Sequence, residues 1–251
     1  MTSSPALPDG LAAMRQVLSL SEVMRLIEET ARWVDPATFR LLPVWYPEFA
    51  RRADFYKANW TEPQMNRNRQ SGLAVHKQEG NVHANKALTQ ALGLRAKDRP
   101  GWSCCHIWGL DDSTFQSTNK VVQDHRYFSC VANVVLLPTP LKAFTDVMPE
   151  VKTMLRVAAY RLYGWSCGHE DVAEAKARVE SWTDWDAYPV SWAKGDVPGI
   201  MPLTDGVRAA ARRRVARLRY DRDHAGVHYP RDEVAQTLAY WGVDLDAWPE
   251  T

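Results

Sequence analysis

The sequence predicts an α+β fold, mostly helical, with a small central β-hairpin followed by a helix. Three observations predict it. Apolar residues recur at helical spacing through the N-terminal third and again beyond Asp146. Two short β-favouring runs, Cys105 to Trp108 and Val131 to Leu137, stand in the centre with a polar loop between them. Thr139-Pro140, directly after the second run, reads as a cap with proline in the first helical turn.

Taken in order, Leu11, Met14, Val17 and Leu18, then Val23, Leu26, Ile27 and Trp33, predict two amphipathic helices interrupted near Ser19 to Ser21. Asp35-Pro36 opens a short helix, and Pro47-Glu48 predicts another around Phe49 to Tyr56. Asn59 to Asn81 is polar and aperiodic, a loop with a short strand at Leu73 to His76. Helical spacing returns at Asn81 to Leu94. The centre, Trp102 to Leu110 and Tyr127 to Leu137, gives the two strands, and Asp146 with Pro149 predicts a cap for a helix over Val151 to Tyr163. An acidic stretch from Glu170 to Asp186 leads to a Gly/Pro-containing segment, Gly195 to Pro202, which reads as a linker or subdomain edge. Helices follow at Val207 to Arg222 and Asp232 to Tyr240. Three regions result: a helical part, 1–98; a hairpin-plus-helix core, 99–166; and a helical part with an arginine-rich helix, 167–251.

With 45% hydrophobic and 24% charged residues in 251, the chain has the composition of a folded globular protein. The start, MTSSPALPDG, lacks a basic and an apolar signal region, and no run of apolar residues is long enough to span a bilayer, so a cytoplasmic protein is expected. Four cysteines without a C-x-x-C pair predict reduced thiols, not a disulfide framework or zinc knuckle. Net charge is only +1, but seven arginines lie between Arg208 and Arg222 against one acid, Asp221. That asymmetry points to phosphate contacts, with Arg212, Arg213 and Arg217 as candidates. The alternative is a solvated face whose arginines pair with the acidic stretch around Glu170 to Asp186.

The central constellation reads Cys104-Cys105-His106-Ile107-Trp108-Gly109, a loop, Asn133-Val134-Val135-Leu136-Leu137, then Lys142 and Asp146. From Ser103 to Asp146 it resembles the HNH, or ββα-metal, endonuclease family. The resemblance implies that His106 is the general base on water, that Asn133 fixes the loop and orients it, and that the following helix binds a divalent ion, Mg²⁺ first among them. Its metal positions fall on Cys105, Lys142 and Asp146, with Asp111 after the first strand as a further carboxylate. Lys142 departs from the family's histidine, and an ammonium has donors but no acceptor; it fits a phosphate contact instead, as does Arg126 in the loop. The implied partner is DNA, and a homodimer would allow both strands to be cut.

Plainer readings stand beside each of these. His106 also fits a satisfied core histidine, Asn133 a turn residue, Asp146 a helix cap and Lys142 a solvated charge. Cys167-Gly168-His169 and the group His76, Glu79, His83, Asn85 are lesser polar clusters. The expected function is therefore a metal-dependent DNA endonuclease with His106 as base. The alternatives are a non-catalytic nucleic-acid-binding protein on a degenerate HNH scaffold, and a protein-interaction module displaying Trp182, Trp185 and Trp192. A cysteine nucleophile beside His106 is disfavoured, because neighbours in a strand point to opposite faces.

Overall fold

The computed structural model describes residues 9–109 and 120–248. The chain opens with α1 (Gly10–Arg15), capped by Asp9, and α2 (Leu20–Thr30). Between them Ser19 and Glu22 form a reciprocal capping box, which is what breaks the apolar rhythm there. β1 (Trp33–Val34) leads to α3 (Pro36–Leu41), whose first turn is held by the Asp35 carboxylate accepting from Ala37 N at 2.6 Å.

The helix expected from Pro47-Glu48 does not form. Backbone groups there bond to distant segments: Arg52 N to Glu79 O and Phe55 N to Lys77 O, both at 2.8 Å. Helical i to i−4 bonds would compete for the same groups. The hairpin β2 (Met65–Arg67) and β3 (Ala74–His76) is fully exposed; its first strand lies in the segment read as loop. Next come α4 (Val82–Ala91), β4 (Trp102–His106), α5 (His125–Phe128) and β5 (Val134–Pro138). The expected second strand is thus shorter, since Tyr127 to Asn133 coils through helical turns before the ladder begins.

Helices α6 (Thr139–Val147) and α7 (Pro149–Tyr163) follow, the latter ending at Gly164 with a left-handed φ of 63°. Beyond lie α8 (Ala173–Glu180), α9 (Val190–Ala193), β6 (Ile200–Met201), α10 (Asp205–His224) and α11 (Arg231–Tyr240). The segment read as a linker is stitched into the fold: β6 pairs in parallel with β1, and Gly199 O accepts from Trp33 N at 3.0 Å. A Cβ at Gly199 would stand 2.1 Å from Ala31 O, so only glycine fits there.

The β4–β5 hairpin is buried on both faces. Cys104, Val134 and Leu136 belong to one core, with Trp45, Leu88 and Leu218 from the loop after α3, from α4 and from α10. Cys105, Val135 and Leu137 belong to the other, with Ile27 from α2, Leu155 from α7 and Trp192 from α9. Burial on both sides explains why Val134 to Leu137 is apolar throughout instead of alternating. Trp192, read as a candidate surface anchor, is fully buried edge-on to Trp33, with centroids 6.0 Å apart. Trp182 packs on Tyr188 and Trp185 lies under Arg161, each half-buried. These three side chains do not form a displayed aromatic surface. Among the described residues no helix is long and apolar enough to cross a membrane.

Candidate functional site

The central unit has strand, strand and helix in the expected order. β4 and β5 run antiparallel, Trp102 opposite Pro138 and His106 opposite Val134. Pro138, which has no backbone donor, closes the ladder and occupies the N-cap position of α6; Pro140 sits in the first turn. Thr139, expected to be the cap, instead begins the helix and shares a hydroxyl hydrogen bond with Ser103 at 2.9 Å.

Asn133 ties this unit together. Its buried Oδ1 accepts from Trp108 N at 2.7 Å and its Nδ2 donates to Tyr127 O at 2.9 Å, while its own carbonyl accepts from Ile107 N. The side chain therefore joins the end of β4, the start of β5 and α5 at one point.

His106 ends β4. Its Nε2 faces Phe128 O at 2.9 Å, which assigns the proton to that nitrogen, and its ring stacks on Phe128 with centroids 5.6 Å apart. Burial pushes its pKa down to about 3, opposed by the Phe128 carbonyl and assisted by Arg51 and Lys152. It is a neutral imidazole at physiological pH and a weak base as it stands. By strand alternation it shares the face of Cys104, opposite to Cys105.

Cys105, Lys142 and Asp146 do come together, on the other face. Lys142 Nζ donates to Asp146 Oδ2 at 2.6 Å along one exposed turn of α6, and Thr145 Oγ1 donates to Lys142 O. Burial pushes the Cys105 thiol up to about 11, against the opposing pull of the Lys142 ammonium. Asp146 is not the cap of α7, a position held by Met148; its carboxylate is engaged one turn back by Lys142. A hard divalent ion needs several oxygen or imidazole lone pairs. These three positions offer an ammonium, a protonated thiol and one neutralised carboxylate, and among the described residues no three His, Cys, Asp or Glu side chains converge. Asp111 lies outside the described residues.

Beside this turn is a cavity of 570 Å³ lined by Gly109, Thr145, Asp146, Lys152, Arg156 and Arg178, among others. Lys152 and Arg156 are i, i+4 neighbours on the inward side of α7. Burial lowers the pKa of Lys152 to about 7, with Arg156 adding to the shift. Arg156 donates to Ile107 O at 3.2 Å and Gly109 O at 3.0 Å, and it lies over the Trp108 ring. It pins the chain as it leaves β4. The sequence reading passed over both residues, although two cations on the apolar stripe of a helix that also carries Val151 and Leu155 were a readable signal.

Elsewhere Arg126 is gripped by Asp124 through two nitrogens, at 2.5 and 3.0 Å, and lies over Tyr127 and Tyr240. On α10 the arginines divide into two sets. Arg214 is buried against Glu48, Arg217 pairs with Asp221 at 2.7 Å, Arg219 donates to Leu245 O and Trp248 O, and Arg222 holds Asp246. The acids come from Glu48 and the C-terminal region, not from the Glu170 to Asp186 stretch. Arg208, Arg212 and Arg213 are exposed and make no ion pair among the described residues.

The lesser clusters are structural. Glu79 caps α4, accepting from Val82 N and from His83 Nδ1 at 2.6 Å, and His83 stacks on Phe49 at 3.5 Å. His76 bonds Asp54, and Asn85 accepts from Arg99. His169 caps a short turn by accepting from Asp171 N, and Cys167 is buried.

No protein-family model, curated protein or solved structure matches this chain.

Proposed function

We propose that this protein binds nucleic acid through its strand-strand-helix unit, holding phosphate with ammonium and guanidinium groups where an HNH nuclease would use a metal. One observation carries the reading: Lys142 and Asp146, on the two α6 positions where the resemblance puts metal ligands, form an ion pair beside the protonated Cys105 thiol. A phosphate oxygen can replace the Asp146 carboxylate on Lys142, since both are anionic acceptors for the same donor. The guanidiniums of Arg156 and Arg178 line the adjoining cavity together with Asp9 and Asp146.

The test is binding of double-stranded DNA, followed by fluorescence anisotropy across a salt series. Affinity falling steeply between about 50 and 200 mM salt is the mark of phosphate contacts. Lys142→Ala should weaken binding, and Asp146→Ala, which frees the ammonium, should strengthen it. If neither variant moves the affinity, the reading fails.

The endonuclease reading is favoured by a separate observation, the antiparallel hairpin with His106 at the end of its first strand and Asn133 at the start of its second. Its test is cleavage of plasmid and single-stranded DNA with Mg²⁺, Mn²⁺ or EDTA. Metal-dependent cutting that disappears in His106→Ala would establish catalysis and displace the binding-only reading.

A further inference from the structure

We propose that a second cavity, between α3, α10 and the segment after α11, is a binding site for a nucleotide unit, the phosphate on Arg208 and Arg212 and the flat base against tryptophan. This site is independent of the strand-strand-helix reading. The cavity measures 440 Å³, within the roughly 300–1,000 Å³ of small-molecule sites.

Its cationic wall is made of Arg40, Arg208 and Arg212. Arg208 and Arg212 are i, i+4 neighbours, so two like charges are stacked on one helix face, which is unfavourable unless an anion joins them. Arg214, Arg217, Arg219 and Arg222 of the same helix are satisfied by carboxylates or carbonyls. Arg40 likewise makes no ion pair among the described residues, although it sits in the last turn of α3, where the helix dipole favours it. Three arginines from two helices therefore line one cavity with no ion pair to any of them among the described residues, and the paired N–H fork of arginine matches phosphate.

Part of the lining is apolar. Leu41 and Pro43 contribute, with the half-buried indoles of Trp241 and Trp248. The Trp241 indole is fixed in place, its Nε1 donating to Arg126 O at 2.9 Å and its ring packing on Phe39 and Trp165, while the Trp248 main chain is held by Arg219, which donates to its carbonyl at 2.6 Å. Aromatic rings and guanidiniums lining one cavity are the pairing that receives a base and its phosphate together. Asp244 also lines the cavity. Its carboxylate disfavours a phosphate on that side and can accept from a sugar hydroxyl or a base amino group, which gives the ligand one orientation.

The chemistry is shared by a free nucleotide and by one unit of a single strand, so the test has an arm for each. Calorimetric titrations with adenosine monophosphate, a short oligothymidylate and inorganic phosphate are run on the full chain and on Arg208→Ala/Arg212→Ala. A variant of equal charge loss, Arg69→Ala/Lys97→Ala, both exposed and distant in sequence, is the control. Binding of the monophosphate should weaken about tenfold or more in the Arg208/Arg212 variant and not in the control. Binding of the oligonucleotide alone, with the same dependence, assigns the site to a strand. Inorganic phosphate binding as tightly as the monophosphate overturns the base half of the proposal. Absence of binding by both nucleotide probes, or equal loss in the control, overturns the whole.

Discussion

The strand-strand-helix unit and helix α10 both gather cations, yet they dispose of them in opposite ways. Around α6 and α7 the charges are turned inward or neutralised: Lys142 by Asp146, Arg156 by two backbone carbonyls, and Lys152 by burial that favours its neutral form. Along α10 four arginines are used to hold the fold, and Arg208, Arg212 and Arg213 remain open to solvent. The comparison teaches that charge counted along a sequence is not charge available to a partner. What decides availability is whether a carboxylate or carbonyl from a distant segment reaches the cation first.

The largest expected effect breaks the structural half of α10. Glu48→Gln leaves Arg214 charged and buried without its carboxylate, held by the Trp45 carbonyl and the Tyr46 ring, and losing one member of a buried pair costs roughly 3–5 kcal/mol. Urea unfolding should show that loss, whereas Arg212→Ala should change the midpoint little because nothing in the fold depends on it. Equal losses would mean that the division of α10 into two sets is wrong.

Next in size is Asn133→Ala, which strands Trp108 N inside the protein and takes from Tyr127 O its side-chain donor, leaving it the backbone donors of the following turn. Leaving a buried donor unpaired costs about 1–3 kcal/mol. The same unfolding measurement checks it, and a change well under 1 kcal/mol would show that the clasp does not hold the unit.

A pH dependence sharpens the comparison through His106. Its folded pKa, about 3, lies below its ordinary 6.5. The unfolded chain therefore binds the proton first, so stability is full above pH 6.5 and is lost progressively as pH falls toward 3. His106→Gln should flatten that acid limb in thermal melts taken across the window; an unchanged limb would place the titrating group elsewhere. Lys152 works at the other end: a folded value of about 7 against 10.5 means stability rising from pH 7 to 10.5, a rise that Lys152→Met should remove.

The smallest effect concerns Lys142 and Asp146. Both are close to half-exposed, so replacing either should shift stability by no more than about 0.5 kcal/mol while moving DNA affinity in opposite directions. A large stability loss in Lys142→Ala would make the pair structural and remove it from the binding site.

Local signals carried much of the architecture. Capping by Ser19 and Asp35, helical spacing in α2, α4 and α7, and the two β-favouring runs around His106 and Val134 all act between near neighbours, so they are legible in the chain and recur in the fold. The local rules failed where distant partners won. Pro47-Glu48 has a helix-opening signature, but Arg214 takes the Trp45 carbonyl and the Glu48 carboxylate, and Glu79 and Lys77 carbonyls take the amides that follow. Gly195 to Pro202 has the composition of a linker, yet Ile200 and Met201 are held by β1 some 170 residues earlier in the chain's order of Trp33 and Val34.

The sequence by itself determined the mostly helical α+β class and the central order of strand, strand and helix, because strand alternation and helical periodicity follow from short-range sterics. Tertiary structure alone decided which side of β4 His106 faces, which of the α10 arginines stay free, and that Trp192 is core. Those outcomes depend on desolvation and on pairing across the whole chain, and no local pattern encodes which distant carboxylate, carbonyl or ring will arrive.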